Sequence, residues 1–108
     1  KGALPLWLAP NQIDVIPVNS DYHLEYSENV YNKLLDLGYR VTLDNRDEKL
    51  SYKMRESQVK KIPITIILGD NEVKDKSISY RLFGSKDTTT VSFEEFADYI
   101  KKEVESKR

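Results

Sequence analysis

The sequence predicts an α/β domain of three layers, α/β/α, with a mixed sheet of about five strands and three helices. Three observations predict it. Runs rich in β-branched residues alternate with segments whose apolar residues recur every three or four positions. The run Ile64-Thr65-Ile66-Ile67-Leu68 is almost continuously apolar, as in a strand covered on both faces. The chain has 108 residues, enough for one sizeable core and too few for two, so residues 1–108 are read as one domain.

The first strand is expected where Ile13, Val15 and Pro17 alternate with Asp14, Ile16 and Val18. Asn19-Ser20-Asp21 then offers N-cap candidates. Tyr26, Val30, Leu34 and Leu37, widened by Tyr31 and Leu35, make the apolar stripe of a first helix, and Gly38 ends it. Tyr39–Leu43 reads as a second strand, and 44–48 as a loop. A charged, weakly periodic helix runs from about Glu48 to Lys60, with Leu50 and Met54 on one face. Pro63 forces Ile62 into an extended conformation before the third strand, 64–68. Gly69-Asp70-Asn71 reads as a turn, and Glu72–Lys74 with Ser77–Leu82 as a hairpin around Asp75-Lys76. In its second arm Ile78, Tyr80 and Leu82 share one face, and Ser79 and Arg81 the other. Ser92 with Glu95 forms a capping box, opening a last helix on Phe93, Phe96, Ile100 and Val104. The order β-α-β-α-β-β-β-α makes the first three strands parallel, since helical crossovers join them.

Composition removes whole classes of chemistry. There is no cysteine, which excludes thiol catalysis, disulfides, thiolate zinc and iron–sulfur clusters. One histidine excludes a His-rich metal site. Hydrophobic residues are 39% and charged residues 32% of the chain, as in a soluble domain with a highly charged surface. The net charge of −1, from 17 basic and 18 acidic residues, means that any nucleic-acid site must come from local segregation of charge. The N-terminal apolar stretch is broken by Pro5 and Pro10 and is too short for a signal peptide or a membrane span. It also lacks an initiator methionine, so the chain is read as a fragment of a longer protein.

In open α/β sheets ligands sit beyond the carboxyl ends of the parallel strands. Those ends here carry Asn19, then Asp44, Asn45 and Arg46, then Asp70 and Glu72. No glycine-rich phosphate loop is present. A phosphorylatable receiver domain has a similar layout, but Asn19 and Ser20 stand where its acidic pair would be. His23, alone in the first turn of a helix, reads as a solvent-facing polar residue. The second helix region holds Arg46, Lys49, Lys53, Arg55, Lys60 and Lys61, and Lys49, Lys53 and Lys60 fall on one side of a helix. Such a strip is either a solvated face balanced by Asp47, Glu48 and Glu56 or a contact for nucleic-acid phosphates.

Leu6-Trp7-Leu8-Ala9-Pro10-Asn11-Gln12, Asn45-Arg46-Asp47-Glu48-Lys49, Tyr52-Lys53-Met54-Arg55-Glu56, Lys61-Ile62-Pro63, Gly69-Asp70-Asn71-Glu72-Val73 and Tyr80-Arg81 follow one another in register. Together they resemble the C-terminal anticodon-binding domain of threonyl-tRNA synthetase, a class II aminoacyl-tRNA synthetase, over the whole chain. Elements such as G-D-x-E-V are shared with the prolyl, histidyl and glycyl enzymes. The W-L-A-P-x-Q element favours the threonyl enzyme.

The resemblance implies a cytoplasmic parent enzyme that ligates threonine to its tRNA with ATP. That parent would be a homodimer through a catalytic core holding ATP, Mg and Zn. Residues 1–11 would be a linker from that core, and this domain would carry no cofactor, catalytic site or membrane contact of its own. Its partner would be the anticodon loop of threonine tRNA, whose second and third bases it would read through Arg55, Glu72 and Arg81. A fourth family position, usually asparagine, falls on Asp47. Asparagine can donate to a base edge, whereas ionised aspartate only accepts. Asn19, Arg46, Lys49 and Lys53 are candidate backbone or loop contacts, and Tyr52 and Phe83 candidate stacking residues or core. The competing class is a stand-alone interaction module that borrowed this fold, as accessory subunits do.

Overall fold

A computed structural model of the protein describes residues 6–19, 21–46 and 48–105, with Trp7 described through its backbone. The elements are a 3₁₀ turn (Leu6–Leu8), β1 (Ile13–Pro17), α1 (Leu24–Asp36), β2 (Val41–Leu43), α2 (Leu50–Val59), β3 (Ile64–Leu68), α3 (Asp70–Asp75), β4 (Ser77–Leu82), β5 (Thr89–Ser92) and α4 (Phe93–Glu105). One five-stranded sheet runs in the order β2-β1-β3-β4-β5. Its first three strands are parallel, and β4 and β5 join antiparallel. The mixed sheet and the parallel trio are those the sequence predicts.

The pleat assigns the faces. Ile13, Val15, Ile64, Ile66, Leu68, Ile78 and Tyr80 lie on one side, where Val30 and Leu34 of α1 and Phe96 and Ile100 of α4 close over them. Tyr80 stacks on Tyr99 at 5.4 Å between ring centroids. Asp14, Ile16, Thr65, Ile67, Ser79 and Arg81 lie on the other side, where α2 packs on β1 and leaves part of the sheet open. All of β1 is buried, as a strand covered on both faces requires.

Among the described residues there are four α-helices, one more than expected. Residues 70–75 are helical rather than turn and strand. Glu72 reaches back to accept the Gly69 N–H at 2.7 Å, which satisfies a donor at the helix start. The helix has six residues, too few for a hydrophobic period to show, and it ends at Lys76 with φ +58°. The hairpin is accordingly β4 with β5, and β5 is the threonine-rich run before Ser92, to which the sequence alone assigns no element.

Other local signals hold. Gly38, at φ +94°, follows the end of α1. The Ser92–Glu95 capping box is complete, with both bonds at 3.1 Å. Leu35 and Leu37, expected on the buried stripe, are exposed: Leu35 is one residue, about 100° of helix rotation, away from the buried Leu34, and Leu37 follows the last residue of α1. Ser20 lies outside the described residues.

Candidate nucleic-acid interface

The open part of the sheet beside α2 forms a cavity of about 520 Å³, lined by Leu50, Ser51, Met54, Ile67, Glu72, Ser79, Arg81 and Thr88. Arg81 enters it from β4, opposite Thr65 in the ladder. Its Nη2 donates to Thr88 Oγ1 at 3.1 Å. Its Nε is buried and has no hydrogen-bond partner, so a charged donor is left unsatisfied at the cavity wall. Glu72 enters from α3. One carboxylate oxygen accepts from Gly69 N–H at 2.7 Å and the other from Ser79 Oγ at 2.7 Å. Since Ser79 spends its proton on the carboxylate, its contact with Thr90 Oγ1 at 2.8 Å has Thr90 as donor. Glu72 is thus held rigidly, with further lone pairs able to accept from a ligand. Leu50 and Met54 supply the apolar side.

On the other flank of α2 lies a polar cavity of about 310 Å³, reached by Asn11, Asp14, Thr42, Asp44, Arg46, Glu56 and Lys60 among others. Arg46 forks onto Asp44 through Nε and Nη2, both at 2.8 Å, and also pairs with Glu56. The Arg46 hydrogen bonds hold the carboxyls of Asp44 and Glu56 below the usual range, and these partners raise the Arg46 guanidinium further. The guanidinium lies 5.5 Å from the centroid of the half-exposed Tyr52 ring, and Tyr52 OH donates to Glu56 at 3.2 Å. Asp14 is different. Burial, and then the neighbouring Asp44 charge, push its carboxyl up to about 6.

The structure brings Glu72 and Arg81 together and sets Arg55 apart. Arg55 is exposed on α2, two residues from each of the buried Lys53 and Ser57, and therefore on the helix side facing away from the sheet. Arg46 and Tyr52 meet as a pair. Lys49, the residue before α2, and Asn19 are exposed. Asp47 lies outside the described residues.

Two expectations need correction. Lys53 is not part of a solvent-facing basic strip. It is 1% exposed, and its Nζ donates to the Asp44 carbonyl at 3.3 Å. With Ser57, which hydrogen-bonds Thr65 at 2.6 Å, it forms the sheet-facing side of α2. A helix whose buried residues are lysine and serine shows little amphipathicity, so periodicity misassigned its faces. His23 is also not solvent-facing. It is 5% exposed, accepts the Asn19 N–H on Nδ1 at 3.0 Å and meets Asp70 through Nε2 at 2.5 Å.

Sequence reasoning missed Ser79, Thr88 and Thr90, which tie Glu72 and Arg81 to the sheet. Their signal was the β-branched run before Ser92, readable only once β5 is placed beside β4. Asp14 gave no local signal, because its burial depends on α2.

Comparison with known proteins bears on this arrangement. Residues 12–103 match the family model described as anticodon binding domain. The chain is 47% identical over 108 residues to a threonine–tRNA ligase of Oceanobacillus iheyensis, covering all of this chain and 17% of that protein. It is 49% identical over 104 residues to a threonine–tRNA ligase of Listeria monocytogenes, covering 96% of this chain and 16% of that one. The chain therefore spans about a sixth of these relatives' length. Among solved structures, the RNA-binding domain of threonyl-tRNA synthetase from Cryptosporidium parvum superposes with a TM-score of 0.89 at 25% identity, covering 94% of this chain and 25% of that one. The chain belongs to the anticodon-binding domain family, in the form carried by threonyl-tRNA synthetases.

Proposed function

We propose that this domain grips the anticodon loop of threonine tRNA and reads its bases on the open face beside α2. The observation that carries the reading is the pairing of Glu72, an anchored acceptor, with Arg81, whose buried Nε lacks a partner, in one cavity with an apolar wall. Bases splayed from a single-stranded loop present donors and acceptors on their Watson–Crick edges. A guanine offers N–H groups to a carboxylate and O6 and N7 to an arginine fork. Lys49 and Arg55, both exposed, meet phosphates or the loop from outside the cavity. The Arg46–Tyr52 pair forms a flat shelf on the far flank of α2.

The parent is read as a homodimeric, cytoplasmic ligase joining threonine to tRNA with ATP. ATP, Mg and Zn are assigned to its catalytic part, outside this chain. No helix among the described residues is long and apolar enough to cross a membrane. The test is titration of the full-length protein with threonine tRNA and with a tRNA changed at one anticodon base. Arg81→Ala is expected to cost about 1–3 kcal/mol for the cognate tRNA and to reduce discrimination. Equal affinity of the parent for both tRNAs would instead favour a stand-alone interaction module.

A further inference from the structure

We infer that His23 is a positioning residue: it fastens the β1–α1 loop to the first turn of α3 and so holds Glu72 in register with Arg81. The clamp itself is geometric, and its consequence for RNA rests on the anticodon reading above.

Both ring nitrogens of the buried His23 are engaged. Nδ1 accepts the Asn19 N–H at 3.0 Å, so that nitrogen carries no proton. Nε2 then holds the ring proton and donates it to Asp70 Oδ1 at 2.5 Å, across 47 positions of sequence. Each end of the clamp is itself fixed. Asn19 Oδ1 accepts from the Asp21 and Tyr22 N–H groups at 2.8 and 3.1 Å. Ser27 Oγ donates to the His23 carbonyl at 2.8 Å. On the other side, Asp70 opens α3, and Glu72 two residues on closes over Gly69 N–H. Gly69 lies so close to the β1 end that a Cβ there would stand 3.2 Å from Val18 Cγ2. The two loops thus meet closely, and His23–Asp70 is a side-chain bond across that contact.

A proton-transfer dyad needs one ring nitrogen free to face a substrate. Here neither is free, which leaves orientation as the work the pair does. The Asp70 side chain is 94% exposed, so replacing it opens the clamp without leaving a hole in the core.

The test uses the full-length protein, threonine tRNA and a tRNA altered at one anticodon base. Asp70→Ala is expected to lower the ratio of the two affinities about fivefold, the net worth of one ordinary hydrogen bond, since the Asp70 carboxylate is exposed and its charge screened. Asp70→Asn, whose amide oxygen still accepts from Nε2–H, is expected to keep the parent's ratio. Hydrogen exchange should show residues 19–23 and 69–75 loosening together in Asp70→Ala and not in Asp70→Asn. An unchanged ratio in Asp70→Ala, or an equal loss for both tRNAs, would overturn the positioning role. A parent that does not discriminate would overturn the anticodon reading instead. Exchange would then still decide the clamp, with coupled loosening supporting it and loosening of one segment alone overturning it.

Discussion

Ser79 donates its hydroxyl to Glu72 at 2.7 Å, and Thr90 donates to Ser79 at 2.8 Å, so a carboxylate on a six-residue helix is tied through two strands of the sheet. Ser79→Ala leaves Glu72 without its second anchor. The expected result is a loss of about 1 kcal/mol in cognate tRNA affinity, with a smaller loss for an altered anticodon. Titration of both tRNAs checks it. A loss shared equally by the two would place Glu72 outside base reading.

Gly69 owes its identity to crowding, since its φ of −121° is open to any residue. A methyl group there would press on Val18 Cγ2 at 3.2 Å and Glu72 Oε1 at 3.4 Å. Gly69→Ala is expected to destabilise by about 1 kcal/mol. Val18→Ala should recover much of that loss in the double variant, because the two side chains compete for one space. Urea unfolding of the four proteins measures the coupling.

Lys53 is buried, its Nζ donating to the Asp44 carbonyl at 3.3 Å and lying close enough to the Asp44 carboxylate to help lower that carboxyl's pKa. Replacing a buried charge by an apolar chain of similar length costs little where the opposite charge keeps another partner, and Asp44 keeps its Arg46 fork. Lys53→Met should therefore keep stability within about 1 kcal/mol of the parent, whereas Lys53→Ala should lose about 2–3 kcal/mol to the cavity it leaves. The salt dependence of tRNA binding should be unchanged in Lys53→Met. In Lys49→Ala its slope should fall by about one.

Asp14 makes stability depend on pH in a direction opposite to most carboxyls. Its folded value of about 6 lies above the ordinary 3.8, so between these values the folded state binds the proton more tightly than the unfolded one. Stability from this group is present below about pH 4 and is lost as pH rises to about 6. The loss is about 2–3 kcal/mol, at roughly 1.4 kcal/mol for each pH unit. Asp44 and Glu56 act with the other sign, since Arg46 lowers both, and their contribution is lost on acidification below their ordinary values of 3.8 and 4.5. Asp14→Asn should flatten the profile between pH 4 and 6 and stabilise the domain at pH 7. Chemical denaturation across this range checks both.

Strand and helix identities that rest on local chemistry were legible. The run 64–68, the Ser92–Glu95 box and Gly38 at a positive φ all depend on residues within a turn of one another. Glu72 and Arg81 were named from the family resemblance, and the structure places both on the wall of one cavity. What was not legible depends on distant partners. Residues 70–75 carry strand-like and helix-like features at once, and the Glu72–Gly69 bond decides between them. Lys53 looks like a surface cation in sequence and becomes core because the sheet offers it the Asp44 carbonyl.

By itself, the sequence determined the fold class, the parallel trio of strands and the family, because β-branched runs, caps and ordered motifs are properties of short stretches. Only the tertiary structure decided which cations face solvent, which carboxyl is pushed up and which loops are tied together. Burial and charge are set by what packs on top of a residue. For Lys53, Asp14 and His23 the deciding neighbours are the Asp44 carbonyl, the overlying α2 and an aspartate 47 positions away.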